Sequence, residues 1–299
     1  MPTVQLGQHA AASQLIVHIS DTHYLSEGRA LYDRVDTDRT LQRALAQLEL
    51  TGLQPSAIVL TGDITDRGEP DAYRRVRDQV EIAADRLGAT VVWVMGNHDE
   101  RSAFRTELLR EAGTAEPVDR VFDIGGLRII ALDTSVPGFH HGDVSEQQRA
   151  WLADVLSSPA ELGSILALHH PPVPTPLHLM NILELREQDS LAEVVAGSDI
   201  RAILGGHLHY ATTGMFAGIP VSVAAATCYT MDLSAPEREL TGVDGGQSIN
   251  LVNVYADQVT HSVVPIGAFK PVSGFNSDFL DRMEELSADE RTEAFSRQV

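Results

Sequence analysis

Short apolar runs alternate with longer amphipathic stretches along the first two thirds of the chain. The runs are rich in β-branched residues and are bounded by turn residues, which is typical of buried strands. They cover residues 15–19, 57–60, 91–94, 165–168 and 201–204. Between the first three runs, apolar residues recur at helical spacing, and Gly52 and Gly88 stand where each helix would end. This alternation predicts a mainly parallel central sheet.

Other patterns predict antiparallel strands and a further helix. Two apolar runs flank the Gly125-Gly126 pair, which predicts a hairpin. Ser145, with Gln148 three residues later, has the spacing of a capping box and predicts the start of a helix. Short β-branched runs at residues 249–255 and 259–264 predict a second, antiparallel layer.

The chain becomes polar near its C-terminal end. We therefore expect one domain over residues 1–268, followed by a tail at residues 269–299. In that tail, Phe279, Met283 and Leu286 have the spacing of one face of an amphipathic helix.

The composition excludes several classes of protein. The 299 residues include 42 acidic and 22 basic ones, which gives a net charge of -20. Such an acidic surface repels a phosphate backbone, so we expect no nucleic-acid partner. The single cysteine cannot form an internal disulfide, and no apolar run is long enough to span a membrane. Because the first residues also lack the basic and apolar regions of a secretory leader, we expect a cytoplasmic protein.

Polar side chains directly follow five of the predicted strands. In open α/β sheets, this loop edge is where ligands bind. The carboxylate, imidazole and amide donors suit Mn, Fe, Zn, Ni or Co rather than metals that prefer thiolates. One intervening residue, as in Asp21-x-His23 and His207-x-His209, puts both side chains on the same side of an extended stretch. The five blocks are Asp21-Thr22-His23, Gly62-Asp63-Ile64-Thr65-Asp66, Gly96-Asn97-His98-Asp99, His169 and Gly206-His207-Leu208-His209.

These blocks, in this order, resemble those of the calcineurin-like metallophosphoesterases. Within that superfamily, the chain looks most like the bacterial class III cyclic nucleotide phosphodiesterases. The resemblance extends over residues 15–264, and any one block alone would be weak evidence for it. It implies an α/β fold, the four-layer α/β/β/α sandwich of the metallophosphoesterase type, and identifies residues 1–268 as the metallophosphoesterase domain.

The resemblance also implies a role for each side chain. Metal one would be held by Asp21, His23, Asp63 and His209. Metal two would be held by Asp63, Asn97, His169 and His207, so that Asp63 bridges the two ions. His98 would be the catalytic histidine, oriented by Asp66. The substrate phosphate would contact Asn97, His98 and His140, the last in the loop His140-His141-Gly142.

The chemistry of phosphodiester hydrolysis requires a set of this kind. Two divalent ions, two carboxylates and one bridging hydroxide leave a net charge of about +1, which attracts a phosphodiester. The hydroxide would attack phosphorus, and His98 is free to protonate the leaving oxygen. We therefore expect a dinuclear phosphodiesterase that hydrolyses 3′,5′-cyclic nucleotides, above all cyclic AMP, to nucleoside 5′-monophosphates. Fe and Mn are the favoured ions, and Zn, Ni or Co also suit the donors.

Several alternatives remain open at this stage. The donors act on phosphorus, so 2′,3′-cyclic nucleotides, other small phosphodiesters and phosphomonoesters are alternative substrates. A catalytically silent scaffold of the same fold is the alternative that is not an enzyme. His98 could orient the site instead of donating a proton, and Asp66 could cap the loop before Gly68. The residue three after Asp63 is an acid and not tyrosine, which disfavours a purple acid phosphatase.

Three expectations concern packing. The resemblance implies a homodimer, with residues 177–185 as a contact segment. Cys228 is predicted to be a small buried residue and not a nucleophile, because nothing near it in the sequence marks an electropositive site. His170 is predicted to pack beside His169 without a direct role.

Overall fold

The computed structural model describes residues 4–297. The β-strands are β1 (Gln14–Ile19), β2 (Ala57–Thr61), β3 (Thr90–Val94), β4 (Arg120–Ile124), β5 (Leu127–Leu132), β6 (Ser164–Leu168), β7 (Ile200–Gly205), β8 (Thr212–Phe216), β9 (Ile219–Val223), β10 (Thr230–Met231), β11 (Gly242–Val243), β12 (Ser248–Val254) and β13 (Val259–Pro265). The α-helices are α1 (Thr37–Leu50), α2 (Pro70–Leu87), α3 (Arg101–Glu107), α4 (Glu146–Val155), α5 (Gln188–Val195), α6 (Ser277–Glu285) and α7 (Ala288–Arg291). Short 3₁₀ turns lie at Ser26–Gly28 and His178–Leu183, and a π-helical turn lies at Thr292–Ser296.

The strands form two main sheets. The first has the order β13-β12-β1-β2-β3, and the second has the order β4-β5-β6-β7-β9-β8. Within the first sheet, β1, β2 and β3 run parallel, and within the second, β5, β6, β7 and β9 run parallel. Strands β4, β8, β12 and β13 are antiparallel to their neighbours. Each sheet therefore contains a set of parallel strands whose ends face one side of the molecule.

Three apolar cores separate four layers. Alternate residues of a strand point to opposite faces, so Val17 on β1 faces helices α1 and α2 whereas Ile16 faces the second sheet. On the outer face of the second sheet, Leu152 of α4 and Leu191 of α5 are fully buried. Both faces of each sheet are covered, as parallel strands require. The order helix, sheet, sheet, helix confirms the predicted four-layer sandwich.

The helix boundaries follow the local chemistry that the sequence indicates. Ser145 and Gln148 form the predicted capping box at the start of α4. Pro70 is the first residue of α2. A backbone N–H at this position would have no partner within the helix, so proline, which lacks one, is tolerated there. Gly88 ends α2 with a φ of 71°, in the left-handed region that glycine adopts readily.

The prediction that the last strands form a separate antiparallel layer is wrong. Strands β12 and β13 extend the first sheet beside β1, with Asn250 opposite His18. Strands β8 and β9 instead extend the second sheet beside β7. Short β-branched runs indicate strands, but side-chain packing decides which sheet edge they join.

The C-terminal segment lies outside the sandwich. Helix α6 contains Phe279 and Met283, and none of its side chains is fully buried. Instead, Phe275, Phe279 and Phe295 pack on one another, with ring centroids 4.6, 5.3 and 5.5 Å apart. Within residues 4–297, no helix has both the length and the apolar character needed to cross a bilayer.

Asp119 makes the stability of the fold depend on pH. Its Oδ1 accepts hydrogen bonds from the Asp133 backbone N–H at 2.8 Å and from Gln148 Nε2 at 3.1 Å. Burial raises the pKa of Asp119 to about 6. Because this pKa lies above the unfolded value of about 3.9, the stabilisation is complete below about pH 4 and is lost as the pH rises through about 6.

We expect Asp119→Asn to raise the free energy of unfolding by about 1–2 kcal/mol at about pH 7.5, because the amide keeps the acceptor oxygen and removes a half-buried charge. At about pH 4 the variant and the parent should differ little. Urea denaturation at both pH values measures the difference. Asp154→Asn, at an exposed position on α4, is the matched control. An equal gain at both pH values would contradict this account of Asp119.

Candidate metal centre

Five loops meet where the parallel strands of the two sheets end. Each loop follows one strand, and the strands are β1, β2 and β3 of the first sheet and β6 and β7 of the second. The structure thereby brings together all seven side chains that the sequence predicts as metal ligands. All are buried except Asn97, which is half-buried. The first sheet contributes Asp21, His23, Asp63 and Asn97, and the second contributes His169, His207 and His209.

The carboxylate of Asp63 lies between the two halves of this cluster. Its Oδ2 is 3.4 Å from His23 Nε2 on one side and 3.3 Å from His169 Nε2 on the other. His169 Nε2 is in turn 3.1 Å from Asn97 Oδ1. Asp63 is therefore placed where one carboxylate can serve two cations.

Asp21 holds the other side of the cluster. Its Oδ1 is 3.3 Å from His209 Nε2, and both of its oxygens accept from the backbone N–H of His207, at 3.2 and 3.1 Å. Potential ligand atoms of Asp21, His23, Asp63 and His209 all lie within 4.8 Å of one another. This grouping matches the four residues predicted for metal one.

Each of the four predicted histidine ligands is anchored through one ring nitrogen. A carbonyl or carboxylate oxygen can only accept, so the anchored nitrogen carries the proton and the other is left for a metal. The anchors are His23 Nδ1 to Asp66 Oδ1 at 3.1 Å, His169 Nδ1 to Thr61 O at 2.7 Å, His207 Nε2 to Leu183 O at 3.1 Å and His209 Nδ1 to Tyr229 O at 3.0 Å.

The backbone at the ligands differs from the sequence-based expectation. Asp21-x-His23 and His207-x-His209 were predicted to be extended, but all four named residues have φ between 46° and 67°, in the left-handed region. Asp63 is also left-handed, with a φ of 48°. Residues other than glycine rarely adopt this conformation, and such strain is concentrated at functional sites. The loops curl over the strand ends, which brings the ligands closer together than extended stretches would.

Two glycines allow the loops to pack against the carboxylates. A Cβ at position 96 would overlap the backbone nitrogen and Oδ1 of Asp63. A Cβ at position 206 would overlap Ser20 Oγ and lie 2.7 Å from Asp21 Oδ2. Neither Gly96 nor Gly206 has a left-handed φ, so close approach explains why these positions carry glycine.

Asp99 fastens two of the loops together, a role that sequence reasoning missed. Its carboxylate accepts from the backbone N–H groups of Gly96 at 2.9 Å, Ile64 at 3.1 Å and Thr65 at 3.1 Å. The hydroxyl of Tyr73 on α2 also donates to it, at 2.9 Å. The position directly after Asn97-His98 was the only sequence signal, and spacing alone does not distinguish a fastening carboxylate from a ligand.

Asp63 and the imidazoles around it shift one another's pKa values. Burial alone would raise the pKa of Asp63, but His169 and His98 hold it well below its usual value. Burial alone would lower the pKa of His169, but the neighbouring Asp63 carboxylate raises it to about 9. Burial and the neighbouring His169 lower the pKa of His207 to about 3. Protons on the imidazoles thus balance the buried carboxylates in part, and divalent cations would do so more fully.

The donor set fits two metal ions. His23 Nε2 is buried and has no hydrogen-bond partner in the part of the chain described, although it faces Asp63. A buried polar atom without a partner is unfavourable, and a cation between it and the carboxylate would satisfy both. The combination of imidazole, carboxylate and amide oxygen is one that Fe, Mn, Zn, Ni or Co accepts.

His98 lies at the rim of the cluster, beside His23. Its ring centroid is 4.8 Å from that of His23, and its Nδ1 donates to the backbone carbonyl of Asp66 at 2.9 Å. The Asp66 carboxylate itself lies 3.8 Å from His98 Nδ1 but 3.1 Å from His23 Nδ1. Asp66 therefore holds His98 through its main chain and His23 through its side chain.

The loop after β5 reaches the same rim. His140 Nδ1 accepts from Asn97 Nδ2 at 2.9 Å, and its ring lies 4.9 Å from that of His98. His141 points elsewhere and packs on Phe139. His170 bonds to Thr134 Oγ1 at 2.8 Å and packs beside His169, as predicted.

The surroundings of Cys228 were also missed. It is fully buried, as predicted, but its Sγ is 3.7 Å from His209 Nδ1, and its backbone N–H donates to the Asp21 carbonyl at 3.3 Å. The sequence around Cys228 marks no electropositive site, yet the fold places the His209 imidazole beside its thiol. The neighbours come from distant loops, so they left no trace in the adjacent sequence.

Comparison with known proteins agrees with this geometry. The calcineurin-like phosphoesterase family model matches residues 15–211, which include all seven predicted ligands. The chain is 52% identical over 277 residues to a cAMP/cGMP dual specificity phosphodiesterase of Mycobacterium tuberculosis, covering 93% of this chain and 87% of the relative. It is 30% identical over 231 residues to the 3′,5′-cyclic adenosine monophosphate phosphodiesterase CpdA of Escherichia coli, covering 74% and 82% of the two chains.

A solved structure has the same architecture. A dimetal phosphatase from Danio rerio superposes with a TM-score of 0.60 at 16% identity, covering 86% of this chain and 97% of that chain. At this identity the likeness concerns the fold alone. The family match, the identity to the mycobacterial relative and the shared fold together establish that this chain belongs to the calcineurin-like phosphoesterase family.

Proposed function

We propose that this protein is a dinuclear metal-dependent phosphodiesterase that hydrolyses 3′,5′-cyclic nucleotides, with cyclic AMP as the leading substrate, to nucleoside 5′-monophosphates. The observation that carries the proposal is the position of Asp63 between two groups of donors, in a chain 52% identical to a cAMP/cGMP phosphodiesterase. A silent scaffold would not need to keep seven buried or half-buried donors in one cluster.

The proposed ligand sets follow the two halves of the cluster. Metal one would be held by Asp21, His23, Asp63 and His209, and metal two by Asp63, Asn97, His169 and His207. Fe and Mn are the proposed ions, and Zn, Ni or Co suit the same donors. When bound, the pair would lower the pKa of a water to make it nucleophilic and would neutralise charge on the phosphoryl oxygens.

The side chains at the rim would act on the substrate directly. His98 is held through Nδ1 by the Asp66 carbonyl, which leaves Nε2 to donate a proton to the leaving ribose oxygen. Asp66 is a positioning residue in this scheme, since it contacts His23 and His98 and not the phosphate site. His140 Nδ1 accepts from Asn97 Nδ2, so its Nε2 carries the proton and would donate to a phosphate oxygen.

We further propose how the chain is organised. Residues 1–268 would form the catalytic domain and residues 269–299 a tail, which agrees with the absence of fully buried side chains from residue 269 to residue 297. A homodimer through residues 177–185 is supported by the exposure of Leu179 and Ile182. The single cysteine, which cannot form an internal disulfide, supports a cytoplasmic location.

A substrate panel tests the activity itself. The metal-loaded protein should hydrolyse 3′,5′-cyclic AMP with a kcat/KM at least about tenfold above those for 2′,3′-cyclic AMP, glycerophosphocholine and 4-nitrophenyl phosphate. Chromatography of the products should show 5′-AMP and no 3′-AMP. A preference for any of the other three substrates would replace the proposed specificity, and inactivity towards all four would favour the scaffold.

Replacement of Asn97 by alanine tests the second metal. We expect Asn97→Ala to reduce bound metal from two ions to about one per chain and to lower turnover by about 100-fold or more, because metal two loses its amide oxygen. Elemental analysis after dialysis, together with the cyclic AMP assay, measures both. Asn253→Ala, on β12 at the opposite end of the sheet, is the control. Unchanged metal content and activity in Asn97→Ala would refute the two-metal assignment.

Dependence on the leaving group tests His98 as the general acid. His98→Gln should lower kcat for cyclic AMP by about 10²–10⁴-fold, because the ribose alkoxide needs a proton. For bis(4-nitrophenyl) phosphate the loss should be below about tenfold, since a nitrophenolate leaves without one. Metal content should stay at the parental value. Equal losses with both substrates would make His98 an orienting or binding residue instead.

A further inference from the structure

The loop at residues 136–142, between β5 and α4, presents His140 at the rim of the metal centre. The His140 side chain is exposed, and its Nδ1 accepts from Asn97 Nδ2 at 2.9 Å. An exposed side chain on a surface loop samples many positions unless the main chain that carries it is held. The position of the His140 ring therefore depends on what holds the main chain of residues 136–142.

One buried side chain, that of His170, holds this main chain from inside the fold. His170 follows β6 and is fully buried. Its Nε2 lies 3.2 Å from the backbone carbonyl oxygen of His140. Within residues 4–297, no other side chain forms a hydrogen bond with the main chain of residues 136–142. The contact between His170 and His140 is thus the direct link between the loop and the end of β6.

The partners of His170 fix the direction of this hydrogen bond. A carbonyl oxygen can only accept, so Nε2 of His170 carries the ring proton. On the other side of the ring, Thr134 Oγ1 accepts from the His170 backbone N–H at 3.3 Å and donates its own proton to Nδ1 at 2.8 Å. Both nitrogens of the buried ring are therefore satisfied in one tautomer, with its donor directed at the His140 carbonyl.

The loop also packs directly on the His170 ring. A Cβ at position 142 would lie 2.5 Å from Cγ of His170, and the φ of Gly142 is not left-handed. Close approach to the imidazole therefore explains why this position carries glycine. Main-chain hydrogen bonds hold the end of the loop, where the Gly142 N–H donates to the Glu184 carbonyl at 3.2 Å and the Gly142 carbonyl accepts from the Arg186 N–H at 2.9 Å.

We propose that His170 is a positioning residue, whose hydrogen bond to the His140 carbonyl keeps the His140 imidazole beside Asn97 and so places its Nε2 to bind a phosphate oxygen. The inference rests on the proposed function, since the phosphate contact of His140 is part of it. It goes further than the packing of His170 beside His169, because packing requires a ring of this size and not a donor at Nε2. His170 itself would not contact the substrate.

Two amide variants separate the hydrogen bond to His140 from a general need for a polar group. A glutamine amide reaches as far as Nε2, whereas an asparagine amide reaches only as far as Nδ1. With metal-loaded protein, calorimetry should show that His170→Asn raises the dissociation constant for inorganic phosphate by about fivefold or more, because His140 is no longer held. His170→Gln keeps the donor and should stay within about twofold of the parent. Equal phosphate affinities of the two variants would refute the proposal.

A double-mutant cycle shows whether His170 acts through His140. His140→Ala removes the phosphate donor, so His170→Asn should change the phosphate dissociation constant by less than about twofold in that background. With cyclic AMP, His170→Asn alone should raise KM by about fivefold and change kcat by less than about threefold, because the lost contact serves ground state and transition state alike. An undiminished effect in the His140→Ala background, or loss of metal from His170→Asn, would show a structural role instead.

Displacement of the loop tests the same contact without altering the buried ring. Gly142→Ala should push the loop away from His170 and raise the phosphate dissociation constant by about fivefold. Gly245→Ala is the matched control, since a Cβ there meets no atom within 4 Å and the φ is not left-handed. Parental phosphate affinity in Gly142→Ala would contradict the proposal. If the variants behave as expected but the parent hydrolyses no 3′,5′-cyclic nucleotide, the positioning of His140 stands and the proposed function fails.

Discussion

The structure depends on placing one carboxylate, Asp63, in contact with side chains from two different sheets. Its oxygens are within 3.4 Å of histidines that follow β1 and β6, and its Oδ1 also accepts from the His98 backbone N–H at 2.9 Å. A buried carboxylate is unfavourable unless charges and donors surround it. The two sheets must therefore meet with their strand ends aligned, and the apolar core between them fixes that alignment. Packing of the two sheets and assembly of the metal centre therefore depend on the same alignment.

The support for the site comes from main chain more than from side chains. Three of the four anchored histidines donate to backbone carbonyls, those of Thr61, Leu183 and Tyr229. Each carbonyl belongs to a different segment of the chain from the histidine that it anchors. A ring held in this way cannot rotate without disturbing a second segment, which keeps the free nitrogen directed at the centre. Gly96 and Gly206 add to this main-chain support, since the absence of a Cβ lets their backbone pack against the carboxylates of Asp63 and Asp21.

Local pattern in the sequence predicted the strands and the polar blocks that follow them, and the family resemblance of those blocks implied the four-layer class. The run before Asp63 is apolar and β-branched, and such a run predicts a buried strand wherever it occurs. Other features depend on contacts between distant segments and could not be predicted. The hydrogen bonds of Asp99 to two loops, the position of Cys228 behind His209 and the pairing of β12 with β1 are of this kind. The left-handed backbone at the ligands was missed for a related reason, since polar spacing does not distinguish an extended stretch from a curled one.

That left-handed backbone restricts which substitutions these positions can accept. Asparagine, aspartate, histidine and glycine tolerate a positive φ, whereas β-branched and most bulky residues do not. In a descendant that no longer hydrolysed anything, the loops would still have to turn in the same way to close the sandwich. Substitutions at its former ligand positions would then favour glycine and asparagine over other residues. The turn geometry would thus be retained after catalysis is lost, and glycine or asparagine at these positions would indicate the former metal site.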